Sequence, residues 1–144
     1  MDKRVIICDL DGTISDYSHR VKYYKKRQYE KFNSEGKNDF PIENICNILR
    51  YIHSPTNEIV IITARGDNYF NETVNWLKMN DIPFDKLLMR PREDNSPDYE
   101  CKKKLFENHV NFSDVWFVLE DRKCVVDMWR GEGLTCLQVA PGDF

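Results

Sequence analysis

Three stretches of the chain are apolar without a break, and each stops at a polar residue. Val5, Ile6, Ile7 and Cys8 run into Asp9; Ile59, Val60, Ile61 and Ile62 run into Thr63; Val115, Trp116, Phe117, Val118 and Leu119 run into Glu120 and Asp121. Continuous rather than alternating hydrophobicity predicts strands covered on both faces, as in a parallel sheet. Shorter strands are predicted over 86–89 and 135–139. Between them the apolar spacing changes to that of a helix, most plainly at Ile42, Ile45, Cys46, Ile48, Leu49 and Ile52. That spacing predicts a helix over 42–52, with others over 69–79, 98–109 and 122–130, the last closed by Gly131 and Gly133. Strands alternating with helices predict a doubly wound α/β fold with a mainly parallel sheet, forming one domain over 1–144. Ligands of such sheets sit beyond the C-terminal strand ends, where Asp9, Thr63 and Glu120 would converge.

The segment 16–40 interrupts this rhythm and reads as a small helical cap inserted between the first strand and the first long helix. Within 17–31 it holds six basic residues (Arg20, Lys22, Lys25, Lys26, Arg27, Lys31), one acid (Glu30) and four tyrosines (Tyr17, Tyr23, Tyr24, Tyr29). Basic charge interleaved with rings suits single-stranded nucleic acid, with Lys25 and Lys26 placed to track a backbone. The plainer use is a solvated amphipathic helix whose tyrosines pack on the domain beneath. The whole chain carries a net charge of −3, so any attraction to polyanions is local. No apolar stretch is long enough to span a bilayer and the N-terminus reads straight into a strand, so a cytoplasmic protein is expected. The five cysteines are odd in number and never spaced as C-x-x-C, which disfavours disulfides and a zinc site.

Asp9-Leu10-Asp11-Gly12-Thr13 places two carboxylates just past a strand, with a glycine to bend the backbone. Asp9 could attack phosphorus while Asp11 exchanges protons with the leaving alcohol and the attacking water. A phosphate dianion repels a carboxylate nucleophile, so the step calls for a hard cation. Asp9 and Glu120 are suitable oxygen ligands and magnesium the natural ion. The acid role favours a raised pKa at Asp11. The bland use of these residues is a turn, which Thr63-Ala64-Arg65, the lysines of the 98–109 helix and Glu120-Asp121 weigh against.

Together DLDGT, IITAR, a lysine-bearing helix and VLEDR resemble the four motifs of the haloacid dehalogenase superfamily of phosphotransferases, across essentially the whole chain. The resemblance implies Asp9 as nucleophile, Asp11 as general acid/base, Thr63 as phosphate-oxygen donor and Lys102 as the charge-neutralising lysine. It implies Asp9, the backbone carbonyl of Asp11, Glu120 and Asp121 as the magnesium site. MRP, the 121–130 stretch DRKCVVDMWR and the closing CLQVAPGDF are similar to the 3′-phosphatase domain of phage-type polynucleotide kinase-phosphatases. By that likeness Arg20 and Arg65 bind phosphate and Asp98 belongs to the substrate site. Glu120 departs from the family's usual Asp, and Lys102, Lys103 and Lys104 compete for one role; Lys102 keeps a one-turn spacing from Asp98. No G-x-x-x-x-G-K-[ST] occurs, so no kinase activity is expected alongside.

The expected activity is thus a phosphatase acting on a 3′-phosphorylated nucleic-acid end. A 5′(3′)-mononucleotidase is the alternative, and a non-catalytic phosphate-binding module a third reading that intact Asp9 and Asp11 oppose. His19, His53 and His109 are too dispersed for a metal set, though His19 lies near the site. Trp76, Trp116 and Trp129 fall in apolar patterns and are expected in the core.

Overall fold

The computed structural model describes residues 2–144, and each apolar run becomes a strand. After β1 (Arg4–Cys8) come a two-residue strand β2 (Ser15–Asp16), the short helices α1 (Val21–Lys25) and α2 (Tyr29–Ser34), and β3 (Phe40–Pro41). The chain then alternates through α3 (Glu43–Ile52), β4 (Asn57–Gly66), α4 (Phe70–Met79), β5 (Lys86–Arg90), α5 (Asp98–His109), β6 (Val115–Glu120), α6 (Lys123–Gly131) and β7 (Cys136–Gln138). Five strands form one sheet in the order β5-β4-β1-β6-β7, with every neighbouring pair parallel; β2 and β3 form a separate antiparallel pair at the root of the inserted segment.

Both faces of the sheet are covered, which is why its strands do not alternate. On one face Val5, Ile7, Val60, Ile62 and Val118 pack under Leu105 and Phe106 of α5 and Val126 and Trp129 of α6. On the other, Ile6, Cys8, Ile59 and Ile61 pack under Cys46 and Leu49 of α3 and Trp76 and Leu77 of α4. The chain moves outward from β1 through β4 to β5, then α5 carries it back to β6 on the opposite side of β1. This reversal opens a crevice at the C-terminal end of β1, the position at which open α/β sheets bind ligands.

Trp116 departs from the core expected of it. The β1–β6 register skips from the Val5–Val115 pair to the Ile6–Phe117 pair, leaving Trp116 in the irregularity. Trp116 is 42% exposed, and the Arg4 guanidinium lies over its ring, 4.0 Å from the ring centroid. Four cysteines are buried and Cys124 is exposed, all as free thiols. Among the described residues no helix is long and apolar enough to cross a membrane.

Candidate active site

The loop after β1 is built on Leu10. Its carbonyl accepts from the amides of Thr13, Ile14 and Ser15 at 3.0–3.2 Å, while Leu10 and Ile14 are fully buried anchors. The residues between them are thereby pressed into the crevice. Gly12 has φ +86°, and a Cβ there would collide with Asp121 Oδ2, so the DxDGT turn requires glycine on both counts.

Asp9 sits at the floor, held by the Leu119 carbonyl through its amide at 3.0 Å. Its Oδ1 accepts from Lys102 Nζ at 2.7 Å and its Oδ2 from Thr13 Oγ1 at 3.0 Å. Lys102 also donates to Glu120 Oε2 at 2.8 Å, and Thr13 reaches Asp121 Oδ1 at 3.3 Å. Of the three adjacent lysines only Lys102 enters the site: Lys103 pairs with Glu132, and Lys104 lies 3.9 Å from Asp94. Burial lowers the affinity of Lys102 for its proton, but Asp9 and Glu120 outweigh that effect and keep the ammonium charged.

Asp9, Glu120 and Asp121 each offer a carboxylate oxygen within 4.8 Å of the others. Burial, followed by the charge on Asp9, pushes Glu120 well above the usual carboxylate range and Asp121 up to about 7. Among the described residues Glu120 Oε1 is buried without a partner. Three buried acids facing one ammonium, with one oxygen orphaned, suit a hard divalent cation, which takes carboxylate oxygens and relieves their repulsion.

Asp11 turns the other way. Its Oδ1 accepts from Arg65 Nη2 at 2.5 Å and Arg20 Nη2 at 2.6 Å. Burial would raise its pKa, yet Arg65 and Arg20 outweigh that effect and hold it at about 2. The raised value expected of Asp11 is therefore not found in this arrangement, because two guanidiniums stabilise its anion. Its carboxylate, bound to both arginines, is not among the three grouped acids, which leaves any part in a cation site to its backbone.

Arg65 lies within an irregular step in the β4–β5 register between Thr63 and Gly66, a distortion that can re-aim a side chain. Its amide donates to Thr63 Oγ1 at 3.0 Å, and among the described residues nothing accepts the Thr63 hydroxyl. Arg20 is wholly buried and fully engaged, with two bonds to Asp39, one to Asp11 and one to the Phe32 carbonyl. It stands behind Asp11, so the guanidinium nearer the open crevice is that of Arg65. Asp98 accepts from Arg90 Nη2 at 2.8 Å and Arg122 Nη1 at 2.7 Å, tying α5 to β5 and to the residue after Asp121 rather than to Lys102. Lys25 and Lys26 are exposed at the end of α1, and among the described residues neither bonds to a residue of this cluster.

Asp39 was not singled out in the sequence, although it organises the whole arginine side of the site. Its buried carboxylate accepts from Ser15 Oγ at 2.6 Å, His19 Nε2 at 2.7 Å and both Nε and Nη2 of Arg20. The available signal was indirect: a guanidinium buried in a basic segment needs an acid, and Asp39 ends that segment. Thr13, which bridges Asp9 and Asp121, was likewise read only as part of the turn.

The sheet, its switch point and this acid–lysine cluster define a phosphatase of the haloacid dehalogenase type. A haloacid dehalogenase-like hydrolase from Streptococcus pneumoniae shares the fold, with a TM-score of 0.66 at 15% identity over 94% of this chain and 84% of its own. Residues 3–144 match the family described as the polynucleotide kinase PNKP phosphatase domain, and the chain belongs to it. It is 33% identical over 131 residues to a provisionally named bifunctional polynucleotide kinase/RNA ligase of Autographa californica nuclear polyhedrosis virus, covering 88% of this chain and 18% of the viral protein. A chain in the solved Pnkp1/Rnl/Hen1 complex superposes with a TM-score of 0.87 at 33% identity, over 99% of this chain and 48% of that one. The chain thus spans under a fifth of the viral relative and about half of the latter.

Proposed function

We propose that this phosphatase is magnesium-dependent and removes the phosphate from 3′-phosphorylated nucleic-acid ends through a phosphoryl group carried on Asp9. One observation carries the reading: Asp9 is buried between Lys102 and two further acids, with Thr63 and Arg65 at the neighbouring strand end. A bound magnesium ion would be held by Asp9, Glu120 and Asp121 and would lower the repulsion between the phosphate and the attacking carboxylate.

An oxygen of Asp9 attacks phosphorus and the bond to the sugar oxygen breaks, giving an aspartyl-phosphate. Asp11 delivers a proton to the departing oxygen, then takes one from the water that cleaves the phosphoryl group from Asp9. Since Asp11 is a carboxylate while both arginines hold it, it gains a proton only when those contacts weaken. An arriving phosphate dianion competes for Arg65 and adds negative charge beside Asp11, and both effects raise its affinity for a proton. Thr63 and Arg65 then bind phosphate oxygens, Lys102 offsets the charge of Asp9 and Glu120, and Arg20 keeps Asp11 in place. The choice of a nucleic-acid end draws on the names of the similar proteins, one a polynucleotide kinase/RNA ligase and another in a structure described as an RNA repair complex.

Asp9→Asn should lower turnover of a 3′-phosphorylated oligonucleotide in magnesium on the order of a thousandfold or more while the circular dichroism spectrum stays the same. Retained turnover would refute the role of Asp9. A mononucleotidase is the second reading, favoured by the net charge of −3, which offers a long polyanion little general attraction. Side-by-side assays of the oligonucleotide and free nucleoside monophosphates separate the two, and negligible oligonucleotide turnover would leave the second.

A further inference from the structure

A cavity of about 480 Å³ lies beside the site and is not used by the chemistry above. We propose that it seats the terminal nucleoside of the substrate, so that the protein grips base and sugar as well as phosphate; this rests on the phosphatase reading of Asp9. The volume falls in the range of roughly 300–1,000 Å³ typical of small-molecule sites, and is far more than a phosphate group requires. Arg65 lines the cavity and also donates to Asp11, so a phosphate held by Arg65 has this space as its neighbour.

The lining suits a nucleoside. Three carboxamides reach it from separate parts of the chain: Asn33 on α2, Asn68 in the turn after β4, and Asn95 in the loop before α5. Among the described residues none of the three has a side-chain hydrogen-bond partner. Each offers two donors and an acceptor in one plane, the complement of the edge of an uncharged base. Tyr69, half-buried in the same wall, supplies a ring on which a base can stack. Two of the lining charges are already engaged: Arg90 donates to the carbonyls of Ala64, Asp94 and Ser96 and to Asp98, while Asp94 accepts from the Ser96 amide. Those bonds stiffen the loop that presents Asn95. Arg92 and Glu30 also line the cavity, both exposed at the surface, so the asparagines and the ring stand beside one cation and one acid, with the inserted segment closing one side through Asn33 and Glu30.

The test compares adenosine 3′-monophosphate with p-nitrophenyl phosphate, which carries phosphate without a nucleoside. Tyr69→Ala and Asn95→Ala should each lower the ratio of kcat/KM on the nucleotide to kcat/KM on the aryl phosphate by about tenfold. An unchanged ratio for both variants overturns the proposal. Binding is read separately in Asp9→Asn protein by NMR titration. Adenosine 3′-monophosphate should shift the side-chain amide resonances of Asn33, Asn68 and Asn95, whereas inorganic phosphate should not. If the wild-type protein hydrolyses only the aryl phosphate and these resonances still move, the nucleic-acid substrate is wrong and the cavity assignment stands. Resonances that stay in place overturn the assignment whatever turnover shows.

Discussion

The Asp39 carboxylate has no exposed surface and holds Ser15, His19 and Arg20 at 2.6–2.8 Å, so its loss leaves the Arg20 guanidinium buried beside Asp11 alone. Breaking one partner of a buried ion pair costs about 3–5 kcal/mol, because the remaining charge is neither solvated nor matched. Asp39→Ala should therefore lower Tm on the order of 10 °C in calorimetry and reduce turnover, since Arg20 loses two of the bonds that fix it behind Asp11. A Tm within a couple of degrees of wild type would show that water replaces the carboxylate. Asp39 does this from a position that carries no motif. Its importance arises from where the loop after β1 and the end of the insertion meet, which no local pattern records.

The insertion uses its rings for packing within itself. Its rings pack against one another, Tyr24 against Tyr29 and Phe32 with centroids 5.4 Å apart, and the Lys22 and Lys31 ammoniums lie over Tyr23. Phe32 also covers the Arg20 guanidinium at 4.4 Å, so these aromatic residues shelter the buried arginine. Lys25 and Lys26 remain on the outside. Changing both to Ala should weaken oligonucleotide turnover and reduce the slope of log kcat/KM against log salt by about one to two, with mononucleotide turnover little changed. An unaltered salt slope would remove these lysines from the substrate's path. Strand β6 shows the opposite outcome: its apolar run implied a covered Trp116, but the irregular pairing with β1 turned that ring outward.

The whole fold converges on a centre where Asp9, Glu120 and Asp121 face Lys102, and this charge balance sets how stability responds to pH. A carboxyl lifted from about 4 in the unfolded chain binds its proton more tightly when folded. For Asp121, held at about 7, stability should be greatest at the acid side of that window and fall as pH rises from about 4 to about 7. In chelator, Tm should thus decline across this range. Magnesium at roughly a hundred times its dissociation constant should add about 2.7 kcal/mol near pH 8, above the value at which Asp121 is held, and flatten the decline. Identical melting with magnesium and with chelator at pH 8 would refute a cation site at these residues.

Strand and helix positions were readable along the chain because burial on both faces imposes unbroken apolar runs, and a covered helix face imposes its own spacing. The motif acids and Lys102 were readable for a related reason: each stands at a strand end or one helical turn inside α5, so a short segment carries its placement. Other features depend on segments far apart in sequence. The proton state of Asp11 follows from Arg20 and Arg65, 9 and 54 positions away, whose charges act across a buried space that exists only once the insertion folds over β4. Asp39 as the anchor of Arg20, Asp98 as a tie between two arginines, Trp116 as a surface ring and the asparagine-lined cavity arise in the same way. Electrostatic and packing energies depend on distance in space, and distance in space is supplied by the fold.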